Sequence, residues 1–293
     1  MKILLTIAVL LNIAFAQVKV AVTYTYIEDI TKKIAGDLVD IKTLSKPKED
    51  PHFVMARPSL IAKLRNADLL ILNGAQLEIG WLPPLIKRAN NRRVFEGGDG
   101  FLDLSNSIEM IDAHDSVSRA DGDVHPDGNP HFILDPYNVP IVAKSIADKL
   151  SNIDSANSQK YQSNYKSFKE SWDKKLLNWD EKMRPLKGMK VIEYHKIFDY
   201  FLKRYQMELV DTIEPIPGIS PTSKHTIALI DKIKNTKEPI LIMHDVYHNK
   251  KASKLISAQT GIKVIDIPHD VNAISGANSI ERLFKAIVDG LSR

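Results

Sequence analysis

Hydrophobic positions along this chain follow two rhythms that take turns. Residues 18–24 are rich in β-branched side chains that alternate, as in a strand, and residues 27–34 carry apolar side chains at helical spacing until Gly36 offers a C-cap. The pattern continues with a strand at 39–44, a helix opened by Pro58 over 58–64, and a strand at 68–72. Asn73-Gly74 then leads to a helix over 76–89 and a further strand at 93–95. Residues 99–128, rich in Asp, Ser and Gly, break the rhythm and read as a long exposed loop with little core. From 139 to 183 the composition is helical apart from a break at 152–154. In its second part Tyr161, Tyr165, Phe168, Trp172, Leu176 and Trp179 recur at three- and four-residue steps, a packing stripe along one helix. At 1.5 Å per residue that helix spans about 40 Å, and Pro185 and Gly188 end it.

The alternation then restarts. Strands are expected at 189–194, 207–212, 240–243 and 263–267, with helices running through Tyr205 and over 222–234, 250–260 and 279–291. Strands alternating with helices imply βαβ units and mainly parallel sheets. The expected fold is α/β: two lobes, each a mainly parallel sheet flanked by helices, joined by one long helix. The boundaries are an N-terminal lobe over 17–154 that contains the flexible loop 99–128, a linking helix over 155–185, and a C-terminal lobe over 186–293. Residues 1–16 stand apart as a secretory signal: Lys2, an apolar run over 3–14, then the small-x-small site Ala14-Phe15-Ala16. That run is too short to span a membrane. Since no cysteine follows it for lipid attachment, the expected product is a soluble periplasmic protein beginning at Gln17.

Composition narrows the chemistry. With no cysteine among 293 residues, disulfides and thiolate metal sites are excluded, so any transition-metal site must use histidine and carboxylate. The net charge of +4 comes without a basic tract, which argues against a nucleic-acid partner. Against that background one motif stands out because it occurs twice. Asp50-Pro51-His52-Phe53-Val54 is echoed by Asn129-Pro130-His131-Phe132-Ile133, and each run meets another proline soon after, Pro58 and Pro136. Proline fixes its own φ and restricts the residue before it, so each histidine sits on a stiff loop. A lone histidine is more often a satisfied polar group than a ligand; two in matched settings suggest one metal ion.

In open parallel sheets ligands bind beyond the carboxyl ends of the strands. Three candidates lie there: His195, the pair His269-Asp270, and His244-Asp245. Because positions 52, 131, 195 and 270 are far apart in sequence, only the fold can assemble them, two from each lobe across a cleft. Strand alternation would turn either Asp270 or His269 towards an ion, not both. His114 and His125 in the loop could capture metal weakly, although a solvated insertion is the plainer reading. His244 and His248 stand four apart and form a candidate auxiliary site, but without the His-Glu-x-x-His order of zinc helices. His225, at a helix start, reads as solvated.

Several motifs in this order resemble the substrate-binding proteins of zinc and manganese ABC importers. They are Asp50-Pro51-His52; Asn66-Ala67-Asp68-Leu69 leading to Asn73-Gly74 and Leu77-Glu78-x-x-Trp81-Leu82; Gly128-Asn129-Pro130-His131 with Leu134-Asp135-Pro136; and Tyr194-His195-x-x-Phe198-x-Tyr200. The resemblance covers essentially the whole chain after the signal. It implies two Rossmann-like lobes, a rigid connecting helix, limited hinge motion, and a monomer that hands a divalent metal to a membrane permease. It also implies metal ligands at His52, His131, His195 and Asp270, the third position being histidine or glutamate in the family. Three imidazoles and one carboxylate suit tetrahedral Zn(II), with Mn(II) as the alternative cargo. Glu193 and Asp135 are candidates to orient the imidazoles. Affinity is expected to fall below about pH 6.5, where free histidine protonates. Two other classes remain in view: a secreted metallohydrolase, which would need an open coordination position and a general base, and an adhesion module with a structural metal.

Overall fold

A computed structural model describes residues 17–113, 122 and 125–293; the proposed signal segment and His114 lie outside them. The N-terminal lobe is built on β1 (Val18–Val22), β2 (Val39–Thr43), β3 (Leu69–Leu72) and β4 (Phe101–Asp103), all parallel in the order β2-β1-β3-β4. Helices α1 (Thr25–Ala35), α2 (Pro58–Arg65) and α3 (Leu82–Ala89) connect them. After α4 (Val139–Ile153) and the long α5 (Ser158–Met183), the second lobe repeats the plan with β5 (Lys190–Glu193), β6 (Glu208–Thr212), β7 (Ile240–Asp245) and β8 (Lys263–Ile267) in the order β6-β5-β7-β8. Its helices are α6 (Asp199–Tyr205), α7 (Ser223–Lys234), α8 (Lys251–Thr260) and α9 (Ile280–Leu291). In each sheet the winding direction reverses beside the first strand, which opens a crevice at the carboxyl ends of β1 and β5.

Three expectations need correction. Residues 99–128 are not wholly an exposed loop, because β4 pairs with β3 along Leu70–Phe101 and Ile71–Leu102 and Leu104 is fully buried. A three-residue edge strand is too short to show a period, and backbone pairing rather than apolar content places it. Gly100 permits the approach, since a Cβ there would lie 2.2 Å from the Asp68 carbonyl oxygen. Residues 93–95 are not a strand: Arg92–Val94 form a 3-10 turn whose Arg93 N–H donates to Asn91 Oδ1. Finally, α3 starts at Leu82 rather than near 76, because Ala75 and Gln76 adopt positive φ of 48° and 62°, outside the helical region.

The linking helix holds the lobes in one body. Trp172 on α5 is buried, donates its indole N–H to the Pro136 carbonyl at 2.8 Å, and meets Trp179 and Phe284 of α9 edge-on at 5.2 and 5.7 Å. Though it follows the second sheet, α9 also returns to α1, where the Ile280 N–H donates to Asp29 and Lys33 pairs with Glu281 at 3.0 Å. Most of the apolar core is therefore continuous across the lobes and α5, with a smaller cluster on Ile192, Ile242 and helices α7 and α8. Among the described residues no helix is long and apolar enough to cross a membrane.

Candidate metal centre

The two Pro-His-Phe runs reach the cleft by different supports. In the first, Asp50 Oδ1 accepts from the His52 backbone N–H and lies 2.9 Å from His52 Nδ1, while the Pro51 carbonyl accepts from Tyr24 Oη and Trp81 Nε1. In the second, Asn129 Oδ1 accepts from the His131 N–H and the Pro130 carbonyl accepts from Asn73 Nδ2. Asn73 is itself held by Tyr26 Oη at 2.6 Å and by Glu78, which accepts its N–H at 2.8 Å. The runs are not equivalent: Phe132 is fully buried, whereas Phe53 is 64% exposed. His195 leaves the end of β5, and its Nδ1 lies 2.7 Å from Glu214 Oε2. The Gly218 N–H donates to the same oxygen.

These supports bring three histidines together edge-on. The rings of His52, His131 and His195 lie 5.3 to 5.9 Å apart, and one ligand atom from each falls within 4.8 Å of the others. Nitrogens bound tetrahedrally at about 2.1 Å stand roughly 3.4 Å apart, so a small contraction would close them on one ion. All three side chains are buried, and with Nδ1 bound to Asp50 the Nε2 of His52 has no hydrogen-bond partner. An unpaired buried imidazole nitrogen costs about 1–3 kcal/mol, and a cation at that point would satisfy it. Carboxylate on Nδ1 and metal on Nε2 is a familiar way to fix an imidazole's tautomer and raise its basicity.

Asp270 stands differently. It lies outside the three-histidine group, and its carboxylate accepts from the Thr25 and Tyr26 N–H groups at the start of α1, at 3.1 and 2.7 Å. Burial pushes its carboxyl up to about 6 despite those bonds. A small cavity lined by Tyr24, Tyr26, His131 and Tyr247 also touches both His269 and Asp270. The expectation that only one of that pair would face the site assumed strand geometry, but β8 ends at Ile267 and the alternation no longer applies.

The proposed imidazole partners are corrected. Glu193 is committed to the Ile197 and Phe198 N–H groups, and Asp135 to Arg204 and the Tyr137 N–H. Asp50 and Glu214 stand in their place. Asp50, two residues before His52, was visible in the motif; Glu214 follows β6, and only the β5–β6 pairing sets it beside His195. Replacing Glu214 by glutamine is expected to weaken metal binding about 10–100-fold. A chelator-competition titration would measure this, and unchanged affinity would reduce Glu214 to a loop anchor for Gly218.

The remaining histidines separate cleanly. His244 has both ring nitrogens engaged, with Ser253 Oγ at 2.9 Å and the His248 carbonyl at 3.2 Å, which leaves no atom for an auxiliary ion. His248 places Nδ1 2.6 Å from Asp245 and Nε2 3.4 Å from Glu214. Burial works to lower its pKa, but the Asp245 and Glu214 carboxylates outweigh it and hold it above the ordinary value. His225 is not free in solvent; its Nε2 lies 2.9 Å from the Thr212 carbonyl. His131 is not the source of the expected loss of affinity below pH 6.5. Burial first, then neighbouring imidazoles, hold His131 well below its usual value. It therefore stays neutral as pH falls through 6.5, and proton competition at this residue begins only in stronger acid.

Comparison with known proteins agrees with this architecture. The model of a family described as zinc-uptake complex component A, periplasmic, matches residues 20–289. A manganese ABC transporter substrate-binding lipoprotein of Streptococcus pneumoniae is 28% identical over 250 residues, 85% of this chain and 78% of that one. A metal ABC transporter substrate-binding lipoprotein of Streptococcus sanguinis is 28% identical over 258 residues, covering 85% and 79%. Among solved structures, crystalline ZnuA superposes with a TM-score of 0.77 at 23% identity over 94% of this chain and 98% of that one. The FpvC protein of Pseudomonas aeruginosa in complex with Mn2+ gives 0.80 at 19% identity over 95% and 98%.

Proposed function

Since the chain belongs to the zinc-uptake complex component A family, we propose that it captures Zn(II) in the periplasm with His52, His131, His195 and Asp270 and carries it to its permease. It is the substrate-binding component of a metal ABC transporter, which binds a divalent ion and delivers it to a membrane permease. The observation that carries the zinc reading is the convergence of three buried imidazoles, two with a carboxylate on Nδ1. That set is nitrogen-rich and borderline in softness, whereas manganese favours oxygen. Asp270 would enter as a fourth donor by turning a lone pair from the end of α1 towards the ion, since a carboxylate has about four acceptor sites and three N–H groups use some of them.

Delivery requires the ion to leave again. Contacts across the cleft suggest a stiff body: Asn129 Nδ2 donates to the Lys196 carbonyl and Asp199, Arg204 grips Asp135, and Thr25 Oγ1 donates to the Val271 carbonyl. Release then follows from small shifts in loops rather than from wide opening of the lobes. The manganese reading has support of its own in the names of the streptococcal relatives. Competition between Zn(II) and Mn(II) on metal-free protein separates the two. The intrinsic ligand order already favours zinc over manganese, so the zinc reading expects a preference of about a thousandfold or more, and a preference under about tenfold would overturn it.

A further inference from the structure

His125 is a described histidine near the cleft for which the site above has no use. Its side chain is buried, at 9% exposure, and its Nε2 has no hydrogen-bond partner. The ring stacks on His52 at 5.4 Å with an interplanar angle of 19°, and the Nε2 of His52 has no partner either. The residue is not loosely placed. The Gly128 N–H donates to its carbonyl, Gln76 donates to Asp127, and the Asn129 N–H donates to the Ile111 carbonyl. On the other side Gly122 lies so close to the second lobe that a Cβ there would be 2.2 Å from the Pro217 carbonyl oxygen.

Two unpartnered imidazole nitrogens on stacked rings in a desolvated cleft are costly, since each loses water without gaining a partner. A single cation would satisfy both. We propose that His125 is a further metal-binding residue, donating a fourth imidazole nitrogen to the ion held by His52, His131 and His195. The inference rests on those three histidines holding the cargo. His125 stands outside their 4.8 Å group, so its ring must swing in over the ion. A fourth nitrogen would also deepen the preference for zinc over manganese.

Phenylalanine at position 125 keeps an aromatic ring to stack on His52 but removes the donor. The test compares wild type, His125→Phe and His52→Ala, each metal-free, folded by circular dichroism, and titrated with Zn(II) and with Co(II) as a spectroscopic probe. His125→Phe is expected to lower Zn(II) affinity by more than the roughly tenfold minimum for losing a supporting partner, and to change the visible Co(II) bands as one nitrogen leaves the coordination sphere. Unchanged affinity with unchanged bands overturns the proposal. So does weaker binding with unchanged bands, because His125 would then act only by packing against His52. If His52→Ala lowers affinity by two to three orders of magnitude in the same series, the three-histidine reading stands whichever way His125 falls; if His52→Ala binds like wild type, that reading itself has failed.

Discussion

Alanine at His52 is expected to lower Zn(II) affinity by two to three orders of magnitude while leaving the fold in place. Binding at structural zinc sites amounts to about 10–16 kcal/mol over four ligands, or roughly 3–4 kcal/mol for each, and every 1.4 kcal/mol is tenfold in affinity. The fold should survive because the backbone supports of this loop do not pass through the imidazole. Tyr24 Oη and Trp81 Nε1 donate to the Pro51 carbonyl, and the Phe53 N–H donates to the Asp50 carbonyl, none of which the substitution removes. Titration of metal-free protein against a competing chelator measures the affinity, and thermal melting of the metal-free variant measures the fold. Wild-type affinity in the variant would remove His52 from the site. A collapse of the metal-free melt would mean the residue acts through stability instead.

Zinc should raise the melting temperature by roughly 10 °C at a free concentration a thousand times Kd. A ligand that binds only the native state adds about 4 kcal/mol under that condition, and a chain of this size gains about 2–4 °C per kcal/mol. The stabilisation should reach both lobes because of where the ligands come from. His52 and His131 belong to the first lobe and His195 to the second, so the ion ties together two sheets that otherwise meet through α5, α9 and cross-cleft hydrogen bonds. The shift should grow with the logarithm of zinc concentration, reverse with a chelator, and be largely lost in His52→Ala. Calorimetry with and without metal decides the matter, and a melt indifferent to zinc would mean that the folded protein does not bind the ion in preference to the unfolded chain.

Much of this architecture was legible along the chain because buried strands and amphipathic helices carry strong periods. Strands β1, β3 and β8 and the paired helices α4 and α5 fall where hydrophobic spacing puts them. Elements set by contact rather than pattern were not legible. Strand β4 is three residues long and gains its place from pairing with β3, and the start of α3 is delayed by two residues of positive φ. The candidate site divides in the same way. Proline on either side of His52 and His131, and the strand exit before His195, mark those residues in the linear text.

What the linear order determined was the kind of site: no cysteine, hence histidine and carboxylate, with two stiff imidazoles in matched loops. Tertiary structure decided how each nitrogen and oxygen is used. It set Glu214 against His195, gave Glu193 and Asp135 to other partners, committed Asp270 to the first turn of α1, and left His125 stacked on His52 with a free nitrogen. The physical reason is that a local motif constrains φ, ψ and side-chain direction over a few residues only. Hydrogen-bond partners in a cleft come from chain segments tens to hundreds of residues apart, and only the register of two sheets and the packing of one long helix bring them within reach.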